Sequence, residues 1–211
     1  KILVKEALDE GFQQFLKSSD VIPSKIFISW ELQRLNDLLL EWISFEKTRT
    51  PFKVISREAD FEIQCLDTLL NISVDRIDLL EDGSYLIIDY KSSLQNLSDW
   101  FGNYPRKPQL PIYAAFLPNS DGIAFAEVKK DHCGINGLIR HVDSGVKNID
   151  PNKRRIISRE INWDTQTKIW KQTILNLLRD FLDGQEEIKL SRASCDNCSF
   201  SSICRIHSSG G

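Results

Sequence analysis

Methionine is absent from all 211 residues. The chain is therefore expected to be a piece of a longer protein, or a sequence whose modified methionines are missing and whose spacings hide gaps. It also has no run of about 18 apolar residues and no basic segment leading into a short apolar one, so neither a membrane span nor a secretory signal is expected. The expected setting is the cytoplasm. Internal repeats and low-complexity tracts are missing too, which argues against solenoids and disordered linkers. An excess of positive charge is likewise lacking. With a formal net charge of -3, the protein exerts no overall pull on nucleic acid, so any such binding rests on local patches. Those available are Arg106 with Lys107, Lys129 with Lys130, and the stretch Lys147, Lys153, Arg154, Arg155 and Arg159, each of which reads equally well as a solvated face.

What is present suits one well-packed catalytic domain with appended elements. The composition is 41% hydrophobic, and a chain of this length buries roughly 70% of the surface it exposes when unfolded. Leu3, Val4, Ala7, Leu8, Phe12, Phe15 and Leu16 recur with helical spacing, as do Trp30, Leu35, Leu38, Leu39, Trp42 and Ile43, with Ser29 the expected N-cap of that second helix. After Thr50-Pro51 the pattern becomes β-rich, and strands are expected over 52–64, 69–80 and 84–91. A short helix opens at Pro108, since proline is tolerated in a first turn. Strands over 122–130 and 137–142, a loop or hairpin over 145–159, and a long helix stopped by Asp183-Gly184 complete the map. A mixed α/β architecture is the economical solution.

The most informative feature is a pair of acidic strand ends. Asp75 lies in Ser73-Val74-Asp75-Arg76-Ile77-Asp78 and Asp89 in Leu86-Ile87-Ile88-Asp89-Tyr90-Lys91, on either side of the turn Glu81-Asp82-Gly83-Ser84. Alternate strand side chains share a face, so Asp89 and Lys91 point one way while Tyr90 turns back and leaves its carbonyl near them. A hairpin through Asp82-Gly83 folds Asp75 beside Asp89. Magnesium needs only one or two carboxylates besides water and phosphate, and a nearby lysine can orient or deprotonate water or neutralise charge. Aspartates at strand ends around an Asp-Gly turn also occur in any hairpin, so the geometry alone leaves a plain hairpin open.

Taken with the segment 42–49, Glu58, Trp100 and Pro108-Gln109-Leu110-Pro111-Ile112-Tyr113, these residues resemble the RecB and AddB type nuclease domain of the PD-(D/E)xK superfamily. In particular they resemble the domain that ends a longer helicase-like chain in bacterial DNA repair proteins. The resemblance spans nearly the whole chain and is densest over 42–117. It implies a restriction-endonuclease-like α/β fold with a mixed central sheet flanked by helices. The nuclease domain is expected over 1–190, with a helical N-terminal region over 1–50, a catalytic core over 51–142 and a helix over 163–183, followed by a cysteine-bearing tail over 191–211. The resemblance implies that Asp75, Asp89 and Glu58 hold magnesium or manganese and that Lys91 is the catalytic lysine; the Tyr90 carbonyl, left near the site by strand alternation, is a further expected ligand. It also implies that Gln109 and Tyr113 place DNA, with a helicase subunit or helicase-like region the expected partner; Arg76 is a further expected DNA contact, and exonuclease action is the expected mode. One departure stands out: the histidine that such domains carry on the first helix is replaced by Lys5. None of His132, His141 and His207 takes its place, and each is expected at the surface. The competing reading is a catalytically silent DNA-binding or scaffold module of the same fold that docks a helicase partner.

Cys195, Cys198 and Cys204 have C-x2-C-x5-C spacing, which in a cytosolic protein points to metal before disulfide. By resemblance they belong to a [4Fe-4S] cluster whose fourth cysteine lies upstream of the nuclease core. Cys65, on an expected strand, and Cys133, in an expected turn, are poor candidates for that ligand, so the donor is expected before Lys1. A structural iron-sulfur or zinc protein with no role on nucleic acid is the third possibility.

Overall fold

Near Pro51 the apolar period changes from three-to-four residues to two, and the computed structural model changes there from helix to sheet. It describes residues 2–18, 23–140, 146–150 and 162–184. The chain divides into two compact units, Lys1–Asn176 and Leu177–Gly211. In the second, the described residues are the end of a helix and its stop, where Gly184 adopts φ 65° and its N–H donates to the Phe181 carbonyl at 3.2 Å. The rest of the fold belongs to the first unit. His141, His207, Lys153, Arg154, Arg155, Arg159 and the cysteines 195, 198 and 204 lie outside the described residues.

The elements run α1 (Ile2–Ser18), α2 (Lys25–Glu46), β1 (Phe52–Cys65), β2 (Thr68–Leu80), β3 (Tyr85–Lys91), α3 (Gln109–Phe116), β4 (Gly122–Lys129), β5 (His132–Arg140), β6 (Val146–Asn148) and α4 (Trp163–Leu182). The described strands form one mixed sheet in the order β1-β2-β3-β4-β5-β6, in which only β3 and β4 are parallel. This is the α/β architecture expected, a mixed central sheet flanked by helices. A parallel pair needs a crossover, and residues 92–121 supply it with a 3-10 turn at Leu97–Trp100 and with α3.

Strand alternation divides the core between the sheet's two faces. On one face Leu86, Ile88, Ala124 and Ala126 pack on Trp42 of α2. On the other, Phe125 lies under Trp100 with ring centroids 5.0 Å apart, and the Trp170 indole N–H donates to the Trp100 carbonyl at 2.8 Å. Three expectations are corrected. The cap of α2 is Ser24, whose Oγ accepts from the Phe27 N–H at 3.3 Å, and Ser29 lies inside the helix, because Ser24 directly after Pro23 already supplies the capping oxygen. Strand β5 begins at His132, five residues before the expected start, because Gly134 and Asn136 hide its alternation. Cys133 is therefore a strand residue, half-buried, and Cys65 is fully buried; both thiols are free, and burial pushes both pKa values up.

The end of α2 is fastened to the sheet by buried charge. The Arg76 guanidinium donates to both Asp78 oxygens at 2.6 and 2.9 Å, to Glu46 at 2.9 Å and to the Tyr90 hydroxyl at 2.8 Å. Arg49 joins Glu46 at 2.8 Å and Asp78 at 2.9 Å, and lies 4.0 Å above the Phe52 ring. Burial opposes the Arg76 charge, but the bonds to Asp78, Tyr90 and Glu46 outweigh it and raise its pKa. Asp78 is fully buried, and its removal leaves two mostly buried guanidinium groups to share the single carboxylate of Glu46. Asp78→Ala is expected to destabilise the protein by about 3–5 kcal/mol, measured as a lower urea midpoint at unchanged m value. A loss below about 1 kcal/mol would show that solvent reaches the cluster.

Candidate active site

The turn between β2 and β3 is built by Asp82-Gly83. Gly83 takes φ 85°, closed to most side chains, and its N–H donates to the Leu80 carbonyl at 3.0 Å; the Asp82 carboxylate accepts from the Ser84 N–H at 3.0 Å. The register that follows pairs Ile77 with Ile87 and Arg76 with Ile88, and its next step sets Asp75 across from Asp89. The Asp75 carboxylate reaches over and accepts the Tyr90 N–H at 2.8 Å. Lys91, two residues beyond Asp89 on the same face, places its ammonium 2.6 Å from Asp89 Oδ2.

Asp89 is 2% exposed, because β3 is a central strand with α3 over this face. Its Oδ2 is buried and meets no hydrogen-bond donor among the described residues other than the Lys91 ammonium. Burial raises the Asp89 pKa, the neighbouring Asp75 charge raises it further, and Lys91 and the Gln109 amide offset only part of this. Helix α3 supplies that amide. Gln109 and Tyr113 are four apart and share a helix face, Gln109 Nε2 donates to the Tyr113 hydroxyl at 3.0 Å, and that hydroxyl donates to the Ser73 carbonyl on β2. Tyr113 is itself buried, which pushes its pKa up; the Gln109 bond opposes this, and the two aspartates add to it.

Asp75, Asp89, Lys91, Gln109 and Tyr113 thus lie together. Glu58 stands apart from them in setting. It is exposed, its backbone is left-handed at φ 47°, and the register on either side sets it across from Asp75. Among the described residues no three histidine, cysteine, aspartate or glutamate side chains gather to hold a cation. Arg76, expected to place DNA, is 6% exposed and held by Asp78, Glu46 and Tyr90 on the opposite face from Asp75, because it is one residue from Asp75 in a strand. Lys5 is exposed on α1, and the ammonium that pairs with Asp89 is that of Lys91. His132 is half exposed as expected, yet its Nε2 lies 3.4 Å from the carboxylate of Glu127.

Two neighbouring residues escape a reading of the sequence. Glu127 is buried beside Lys91 in the β3–β4 register, and Gln95 is buried just beyond Lys91. An acid within the otherwise apolar strand Gly122–Val128 was a usable signal for Glu127; Gln95 gave none.

The electrostatics of Asp89 make a test. Its folded-state pKa is raised, so its stability contribution is full below the ordinary carboxylate pKa and is lost as pH rises through the raised value. In metal-free buffer Asp89→Asn is therefore expected to melt above wild type at pH 7, with the gap narrowing on acidification. A variant that melts below wild type at pH 7 would show that the Lys91 ion pair outweighs burial.

No curated protein matches the sequence. The crystal structure of SSO0001 is similar over 96% of this chain and 94% of that one, at 16% identity and a TM-score of 0.40. The family model of the PD-(D/E)XK nuclease superfamily matches residues 2–205. The chain belongs to the PD-(D/E)XK nuclease superfamily, and that membership indicates a nuclease, a hydrolase.

Proposed function

We propose that this nuclease is a metal-dependent deoxyribonuclease of the RecB and AddB type, an exonuclease working in DNA repair or recombination. A helicase subunit, or a helicase-like region of the same longer chain, would feed it DNA. The observation that carries the reading is the buried Asp89 carboxylate beside Asp75, with one oxygen answered only by the Lys91 ammonium among the described residues. Two carboxylates that repel each other, one of them under-bonded and buried, fit a hard divalent cation such as magnesium or manganese. Asp75 and Asp89 would hold it, with the Tyr90 carbonyl and Glu58 as further oxygens. When bound, the ion supplies Lewis-acid polarisation of the scissile phosphate.

The chain's own groups do the rest. In phosphodiester hydrolysis a water oxygen bonds to phosphorus, the ester P–O bond breaks, and a proton ends on the departing oxygen. Lys91 is a donor in this arrangement: its ammonium aims hydrogen at the attacking water or at the phosphate oxygens where negative charge grows. The Gln109 amide orients the strand, and Tyr113, anchored to Ser73, holds Gln109 in place. Arg106 and Lys107, three and two residues before α3, share the Asp99 carboxylate at 2.9 and 3.4 Å and would leave a surplus of positive charge at the helix entry. The four-residue spacing of Gln109 and Tyr113, after Asp89-Tyr90-Lys91, supports the RecB type. In the full-length protein, Cys195, Cys198 and Cys204 with a fourth upstream cysteine would hold the [4Fe-4S] cluster.

The test is an assay on single- and double-stranded DNA with magnesium or manganese. Wild type is expected to cleave and to stop on chelation, and Asp89→Ala and Lys91→Ala each to lose about a hundredfold or more in kcat. Cleavage that survives both substitutions would remove the catalytic assignment. DNA binding without cleavage by wild type would identify the silent module instead.

A further inference from the structure

The short segment after Lys91 is exposed over most of its length yet held by several hydrogen bonds that converge on one residue. Gln95 is 6% exposed although Ser92, Ser93, Leu94 and Asn96 around it are exposed. Its backbone N–H donates to Glu127 Oε1 at 2.6 Å, and its backbone carbonyl accepts from the Asn136 amide at 3.0 Å. Its side-chain amide donates to the carbonyl and hydroxyl of Ser93 at 2.7 and 2.9 Å, and its side-chain oxygen accepts from the Lys107 ammonium at 2.6 Å.

The partners of Gln95 connect two halves of the site. Glu127 is 1% exposed and is the β4 residue in register with Lys91, so one residue fixes Lys91 through the ladder and the chain four residues later through its carboxylate. The Asn136 amide donates to the same carboxylate oxygen at 2.9 Å and keeps it in place. Lys107 lies two residues before Gln109, and its own N–H donates to the Asp99 carbonyl at 3.2 Å. The Lys107–Gln95 bond therefore ties the end of β3, which presents Lys91, to the entry of α3, which presents Gln109.

We propose that Gln95, seated on Glu127, is a positioning residue that sets the distance between Lys91 and Gln109 across the phosphate site. Gln95 and Glu127 would act through Lys91 and Gln109, not on the reacting atoms themselves. The inference rests on the nuclease reading above, since it gives the clamp its purpose. Displacement of a catalytic group by about an ångström costs rate far more than it costs binding, so the effect belongs in kcat.

The test compares wild type with Gln95→Ala and Gln95→Glu well below their melting temperatures. Gln95→Ala removes the Lys107 and Ser93 bonds but leaves the backbone bonds to Glu127 and Asn136. It is expected to lower kcat by about tenfold or more, as loss of supporting hydrogen bonds does elsewhere, with KM for DNA unchanged. Gln95→Glu still accepts from Lys107 and is expected to recover most of that loss. In metal-free protein, amide deuterium exchange should speed up together over 92–96 and 105–109 in Gln95→Ala and stay near wild type in Gln95→Glu. Wild-type kcat in Gln95→Ala, or faster exchange confined to 92–96, would overturn the proposal. If wild type itself fails to cleave, the nuclease reading falls, and the exchange result alone decides the clamp: joint loosening supports it and separate behaviour overturns it.

Discussion

Everything at the centre of this protein depends on the alternation of side chains along two hydrogen-bonded strands. Asp75 on β2 and Asp89 with Lys91 on β3 point to the face covered by α3, while Arg76, Asp78 and Tyr90 point to the face covered by α2. A single backbone thickness separates two charged clusters. A slip of one residue in β2 against β3 would carry Asp75 to the α2 face and Arg76 and Asp78 to the α3 face and break up both clusters, so the site depends on the Asp82-Gly83 turn that sets the register.

The two clusters differ in how far their charges are satisfied. On the α2 face Asp78 meets two guanidinium groups, Glu46 meets the same two, and Tyr90 takes a remaining Arg76 proton. Such a cluster is closed to ligands and pins a helix to a sheet. On the α3 face burial and a like charge work against Asp89, Lys91 and Gln109 offset only part of this, and among the described residues the Lys91 ammonium alone answers the buried Oδ2. Charge left incompletely answered in a folded interior is what a cation or a developing transition state can use.

The parallel pairing of β3 with β4 is the second constraint. It forces a crossover, and the crossover brings α3 back over Asp89. It also leaves a chain segment to be fastened just where Lys91 ends its strand, and Gln95, Glu127 and Asn136 meet that need with buried hydrogen bonds. Fold and site therefore share residues here: the bonds that close the crossover also bear on the distance from Lys91 to Gln109.

Much of this was legible in the chain. The β2–β3 hairpin, the facing of Asp75 and Asp89, the turning back of Tyr90, and the helix carrying Gln109 and Tyr113 all follow from short-range rules, a period of two or of four and a turn that Asp-Gly makes easily. The same period turned Arg76 away from Asp75, onto the face covered by α2. What tertiary structure alone decided was which buried groups meet. Gln95 gained its role because β4 folds parallel to β3 and carries Glu127 to it from 32 positions away, and Lys107 because the crossover returns it to Gln95. Local sequence determines which way a side chain points; only the packing of distant segments determines what it points at, because the partner is supplied by chain closure and not by spacing.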